Sequence, residues 1–240
     1  MIKVITSKDN SKVKYACSLK ESKYRKQNRE FLGESLKSLE LAIKANLVKE
    51  VFTYEALDIP EDIFQYLVNE DVMKKISGTT NPEGVVFIAK MPEIKKENYT
   101  KILYLDHIND PGNMGTMIRT ALAFKFDAVI VSEDSVSIYN EKTLAACKGA
   151  NYLIPVFVDD IYKYKKDHVM IASTLSDTSV DVSDLDEDNE RIILVVGNEA
   201  RGISEGIKNN ADIFVKIPIS NIDSLNVSVA AAILMYELSK

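Results

Sequence analysis

From residue 101 onward the sequence alternates short apolar runs with helix-patterned segments. No other feature of the chain limits its fold as much. KILYLDHI, DAVIVSE, LIPVFV, HVMIAST and RIILVVGN are rich in Val, Ile and Leu. Continuous apolar runs of this length mark strands buried on both faces of a parallel sheet. Between them stand helical patterns, one over residues 114–124 and one at NEKTLAACKGA, and the chain closes on NVSVAAAILMYELSK. The alternation predicts an α/β domain, a mostly parallel sheet with helices on both faces. DTSVDVSDLDEDNER is too acidic for a core and reads as a surface turn.

The first ninety residues give a smaller α/β unit. SKVKYACSLKESKYRKQN contains no breaker and reads as one helix. EFLGESLKSLELAIKANLVKEVFTYEA opens with a short strand. A helix with Leu36, Leu39, Ile43 and Leu47 on one face follows, and then a strand, VKEVFTY. PEDIFQYLVNEDVMKKIS reads as a helix entered at Pro60, and VVFIAK, after the turn SGTTNPEG, as a buried strand. MPEIKKENYT is polar and contains a proline, which makes it the expected linker. The domain boundaries that follow are 1–92 and 98–240.

Several functional classes are excluded at this stage. No apolar run approaches the ~20 residues that span a bilayer, and MIKVITSKDNSKVKYA lacks the apolar stretch of a signal peptide. Cys17 and Cys147 are far apart, with no CxxC pattern, and the only histidines are His107 and His168. A disulfide framework and a metal site are therefore not expected, and a reduced, cytoplasmic protein is. The net charge of −6 argues against a generic nucleic-acid coat, but it is unevenly placed. Residues 1–30 hold nine Lys/Arg, Lys23, Arg25 and Lys26 among them, against Asp9, Glu21 and Glu30. Such asymmetry suits either a local polyanion-binding surface or a solvated helix face.

Three loops follow strands or lead into the last helix: DPGNMGTMIR, GNEARGIS and IPISNIDSLNVS. Ligands in open α/β sheets gather beyond the carboxyl ends of the strands. Each loop also has a purely structural reading. PGN is an ordinary turn, Gly197 and Gly202 supply backbone freedom, and Ser224 or Asn226 caps a helix. No GxGxxG follows the first strand of the second half and no GxxxxGK[ST] occurs, which disfavours dinucleotide and P-loop sites.

Together and in this order, the three loops resemble the motifs of the SpoU (TrmH) family of RNA ribose 2′-O-methyltransferases, within the SPOUT superfamily. Asn113 and Arg119 match its first motif. Gly197, Asn198, Glu199 and Gly202 match its second, and Ile217, Pro218 and the run Ser224–Ser228 match its third. The chain departs from the family pattern at Ala200 and Asn221, where glycines are usual, and at Ala145, where many members have Arg. Its third motif is also one residue short between Ile217 and Ser224. The resemblance is strong over residues 100–240. It is weaker over 1–90, where FLGESLKSLELAIKANLVKEVF is similar to the family's small substrate-binding domain.

The resemblance implies a parallel sheet whose C-terminal segment is threaded into a deep trefoil knot, and a homodimer with its active site at the subunit interface. It implies S-adenosylmethionine as cofactor, held around Thr174, Leu175, Ser176, Gly197, Ile217 and Leu225. It assigns catalysis to Asn113, Arg119, Glu199, Ser224 and Asn226. The substrate it implies is structured RNA, ribosomal or transfer, with Lys23, Arg25 and Lys26 as candidate RNA contacts. Methyl transfer to a 2′-hydroxyl needs positioning, proton removal and charge stabilisation, and no metal. Asn113, Ser224 and Asn226 can fix a ribose by hydrogen bonds. Arg119 can grip a phosphate bidentately, and Glu199 serves catalysis or orients Arg119 as an ion pair. The competing reading is a non-catalytic RNA-binding protein of the same fold acting in ribosome assembly. An α/β oxidoreductase or hydrolase lacks its motifs here.

Overall fold

The computed structural model describes residues 1–240 except 80, 95–97, 177–178 and 186–189. The chain opens with a strand that the sequence pattern does not announce, β1 (Ile2–Ile5). The expected single helix is two, α1 (Ser11–Ser18) and α2 (Ser22–Asn28), broken over Leu19–Glu21. Then come β2 (Glu30–Glu34), α3 (Leu36–Lys44) and β3 (Val48–Thr53). The expected helix from Pro60 is mostly a strand, β4 (Phe64–Val68), followed by a short helix α4 (Glu70–Ile76). Phe64, Tyr66 and Val68 favour a pleated, half-buried surface. Asn69 then starts α4 by accepting from the Val72 backbone N–H at 3.0 Å. β5 (Val85–Lys90) completes a five-stranded sheet in the order β1-β4-β3-β5-β2. β1, β4 and β3 run parallel, and β5 is antiparallel to both β3 and β2.

The second half follows the expected alternation with two additional strands. It runs β6 (Lys101–Leu105), α5 (Pro111–Ala123), β7 (Ala128–Val131), α6 (Glu141–Cys147), β8 (Val156–Val158) and β9 (Val169–Ser173). It continues with β10 (Val180–Asp181), β11 (Ile192–Val196), α7 (Glu205–Lys208), β12 (Ile213–Lys216) and α8 (Val227–Glu237). The additional strands are β10 and β12. β10 falls within the acidic segment expected to be a surface turn, part of which lies outside the described residues. α5 starts at Pro111, three residues before the expected Met114, because Pro fits the first turn and Asp110 caps it.

The chain forms two compact units, Met1–Glu93 with Tyr139–Leu153, and Ile94–Ile138 with Ile154–Lys240. α6 thus belongs with the first unit, although the sequence pattern places it in 98–240. The expected linker partly falls on residues 95–97, outside the described residues.

The sheet of the second unit has the order β10-β12-β9-β11-β6-β7-β8, and every pairing in it is parallel. Its central strands are buried on both faces, as their uninterrupted apolar runs require. From β6 the chain steps outward through β7 to β8. It then crosses to β9, and β11 returns to lie between β9 and β6. Strand order reverses at that point, and the carboxyl ends of β11 and β6 stand in register, Val196 opposite Leu105. A crevice forms where such a sheet reverses.

Candidate active site

The loops after β6, β9, β11 and β12 leave the same end of this sheet. Asp106 N–H donates to the Val196 carbonyl at 2.9 Å, and Thr174 N–H donates to the Val215 carbonyl at 3.0 Å. A cavity of about 560 Å³ opens among these loops, lined by parts of the second and third sequence motifs. Thr174, Leu175, Gly197, Ile217 and Leu225, five of the six candidate cofactor residues, line it, and so do Glu199, Ser224 and Asn226. Ser176 stands outside the lining.

The second loop is shaped by close backbone approach. Asn198 and Gly202 exchange backbone hydrogen bonds at 2.9 Å in both directions. A Cβ built on Gly197 would lie 2.4 Å from the Gly202 carbon and the Ile203 nitrogen, so no side chain fits there. Gly202 has φ +69°, the left-handed region that glycine enters without cost. Asn198 locks the turn from within: its Oδ1 accepts from the Ala200 and Arg201 N–H groups, and its Nδ2 donates to the His107 carbonyl at 2.8 Å. Asn221, where the resemblance puts a glycine, has φ 65°. Asn is among the few residues other than Gly that tolerate this conformation.

The first loop is held by Asp106, 1% exposed, whose carboxylate takes the Ser204 N–H at 2.7 Å and meets His107 Nδ1 at 2.7 Å. Nothing in the sequence motifs gives Asp106 or Asn198 a structural part. Asn198 is named by the second motif, though without this role, and the only signal for Asp106 is its position at the end of a strand bordering the crevice. His107 serves the loop through its carbonyl and its Asp106 contact. Burial, then the charge of Asp106, pushes the Tyr104 phenol well above its usual range, which keeps it neutral.

Three of the five expected catalytic residues meet. Asn113, in the first turn of α5, donates from Nδ2 to Glu199 Oε1 at 3.0 Å. Asn226 Nδ2 donates to Asn113 Oδ1 at 3.2 Å. Asn226 is also the cap of α8, its Oδ1 accepting from the Ser228 and Val229 N–H groups and from Ser228 Oγ. The capping reading and the site reading of SLNVS are therefore both satisfied by one side chain. Ser224 is exposed on the cavity wall.

Arg119 is not part of this group. Six residues beyond Asn113 on a helix is about 9 Å along the axis and about 120° around it. Arg119 is exposed and has no hydrogen bond or ion pair among the described residues.

In the first unit, Lys23 and Lys26 are exposed, but Arg25 is 6% exposed, which corrects the expectation of a solvent-facing basic triplet. Its guanidinium donates to the Leu19 carbonyl at 3.1 Å and the Lys20 carbonyl at 2.5 Å. It therefore ties the break between α1 and α2, satisfying carbonyls that one continuous helix would have used. Among the described residues no cluster of His, Cys, Asp and Glu is arranged to hold a metal, and no helix is long and apolar enough to cross a membrane.

An all-parallel sheet carries a ligand-sized cavity and an Asn–Glu–Asn cluster at its reversal point, the usual place for a ligand in an open α/β sheet. Residues 100–236 match the SpoU rRNA Methylase family, and residues 10–86 match the MRM3-like substrate binding domain. The chain belongs to the SpoU family. It is 33% identical to the 23S rRNA (guanosine(2553)-2′-O)-methyltransferase RlmP of Bacillus subtilis, with 99% of each chain covered. It superposes on an AdoMet-bound rRNA methyltransferase from Sinorhizobium meliloti with a TM-score of 0.89 at 27% identity, covering 99% of this chain and 97% of that one. A putative RNA methyltransferase of the TrmH family from Porphyromonas gingivalis aligns at a TM-score of 0.85 and 26% identity, over 95% and 97% of the two chains.

Proposed function

We propose that the protein transfers a methyl group from S-adenosylmethionine to the ribose 2′-hydroxyl of a nucleotide in structured RNA, ribosomal RNA foremost. The observation that carries this reading is the hydrogen-bonded Asn113–Glu199–Asn226 cluster at the cavity among the strand ends. Membership of the family and likeness to RlmP along nearly the whole chain support it.

The cavity suits the cofactor. Its volume lies within the range of small-molecule sites, and Gly197 is among the residues that line it. Main-chain groups around Gly197, Ile217 and Leu225 would read an adenine edge, and Leu175 and Val227 would wall its ring. When bound, S-adenosylmethionine supplies an electrophilic methyl group on a sulfonium. The chain's own residues position the acceptor. Asn113 holds the Glu199 carboxylate in one orientation, and Glu199 accepts a hydrogen bond from the entering ribose. Ser224 and Asn226 are further partners at the same mouth. Transfer releases one proton from the 2′-hydroxyl and leaves a neutral thioether.

Arg119 completes the site from a second copy of the chain in this reading, since it stands apart from Asn113 within one copy. α8 supports the homodimer: it is apolar on nearly all sides, and Val229 and Tyr236 are exposed on it. A helix apolar all round is a buried one. The reading includes the family's deep trefoil knot, a first unit that docks RNA through Lys23 and Lys26, and a cytoplasmic location.

The test is label transfer from S-adenosylmethionine to unmodified ribosomal RNA in the presence of a chelator, followed by digestion to nucleosides. A 2′-O-methylnucleoside is the expected product. Label in a methylated base, or none without metal, contradicts the reading.

A further inference from the structure

The chain carries 25 lysines and five arginines. Two of the five arginines are tied down within the protein. Arg25 holds the break between α1 and α2, and Arg191 donates to the Asp167 and Tyr99 carbonyls and to Asn98 Oδ1. Arg29 is exposed at the end of α2. The remaining two, Arg119 and Arg201, lie in the first and second motif segments. Both are exposed, and neither guanidinium has a hydrogen bond or ion pair among the described residues. In a chain that takes most of its positive charge from lysine, arginine at these two places supplies something more than charge. Its planar fork matches an oxyanion bidentately, and phosphate above all.

Arg201 stands two residues after Glu199 on a turn with little freedom. Its own N–H donates to Asn198 Oδ1 at 3.0 Å, and the main chains of Asn198 and Gly202 bond to each other around it. The base of the side chain is therefore fixed relative to Glu199. Glu199 and Gly202 line the cofactor cavity, and Arg201 is absent from that lining. The two charges are also not spent on each other: Glu199 takes Asn113 Nδ2, and the guanidinium stays in solvent. One rigid turn thus offers a carboxylate to the cavity and an unpaired guanidinium outside it.

We propose that Arg201 is a positioning residue for the RNA, gripping the phosphate on the 3′ side of the target ribose while Glu199 meets the 2′-hydroxyl. The 2′-hydroxyl and the 3′-phosphate are borne on neighbouring ribose carbons. A carboxylate and a cation two residues apart on one turn are placed to meet such a pair together. Phosphate contacts fix register and orientation without reading sequence, so Arg201 sets where the ribose stands and leaves the choice of base to other contacts. The proposal rests on the methyl-transfer reading above and deepens it.

The test uses the full chain, unmodified ribosomal RNA transcribed in vitro, and the variants Arg201→Gln, Arg201→Lys and Lys166→Gln. Lys166 is exposed just before β9, at the amino end of the parallel sheet and so opposite the site, and it serves as the control for bulk charge. Arg201→Gln should raise KM for RNA about tenfold and leave kcat nearly unchanged, the pattern of a contact made equally in the ground and transition states. It should also lower the salt dependence of RNA binding by about one unit of log–log slope. Arg201→Lys should restore the slope but only part of the KM, because it returns the charge without the fork. Affinity for S-adenosylmethionine should be the same in all variants. An unchanged KM and slope in Arg201→Gln, or an equal effect of Lys166→Gln, overturns the proposal and leaves the methyl-transfer reading standing. Weakened cofactor binding in Arg201→Gln would make the side chain a support of the turn and overturns it too. An unmodified chain that transfers no methyl group to RNA sinks the methyl-transfer reading, and the proposal falls with it.

Discussion

Asn113 Nδ2 lies 3.0 Å from Glu199 Oε1, and the two residues are 86 positions apart in the chain. The bond joins the first turn of α5 to the turn after β11, so the carboxylate is aimed by a side chain on a rigid helix. Asn113→Ala removes that aim while leaving the charge. It should lower single-turnover methylation by about 10-fold to 100-fold, the usual penalty for losing a positioning group. Cofactor affinity should change little. Glu199→Gln keeps the shape and removes the charge, and it should cost at least as much. Kinetics of the two variants and the double variant check the coupling: strictly additive losses would mean that the residues act independently.

Gly197→Ala is expected to disable the cofactor cavity. The added Cβ meets backbone, not a movable side chain, so the 197–203 turn must open. Overpacking of this kind costs about 1–3 kcal/mol. Calorimetry should show S-adenosylmethionine binding abolished or greatly weakened, with RNA affinity preserved. Unaltered cofactor binding would move the site away from this turn.

Replacing Lys23 and Lys26 by alanine should weaken RNA binding and reduce its salt dependence by about one unit of log–log slope for each phosphate no longer neutralised. Arg25 does not belong in that experiment. Its alanine variant strands the Leu19 and Lys20 carbonyls and should lower thermal stability as well. An unchanged salt slope in the double lysine variant would return this stretch to a solvated helix face.

The second unit is largely legible in the sequence because parallel strands buried on both faces write themselves as apolar runs. β12 and β10 are not, because they are short and lie near the sheet edge, in sequence that is only partly apolar. FQYLV misleads for a different reason. Its apolar residues fit a helical face as well as a strand, and the pairing with β1 and β3 decides between them. The motif residues can be named from the sequence, and three of them converge. Convergence depends on the strand order, which no local pattern encodes. Asn226 illustrates the limit: cap and site contact look like rival readings, yet the two ends of one amide serve both. Arg25 illustrates the opposite limit. A basic residue in a basic stretch reads as surface, and only the break between α1 and α2 turns it inward.

Arg119 carries the central claim, that the site is assembled from two copies of the chain. Arg119→Ala should reduce methylation by roughly 100-fold or more while leaving cofactor binding intact, and Arg119→Lys should not rescue it, because a point charge lacks the planar fork. The decisive measurement mixes two inactive variants, Arg119→Ala and Glu199→Gln, after unfolding and refolding them together, and assays methylation of ribosomal RNA. A mixed dimer then holds one site with both residues intact, and activity should return to a substantial fraction of the unmodified protein. If each variant is inactive alone and the mixed dimers, verified by mass, stay inactive, Arg119 acts within its own chain and the shared-site account is wrong.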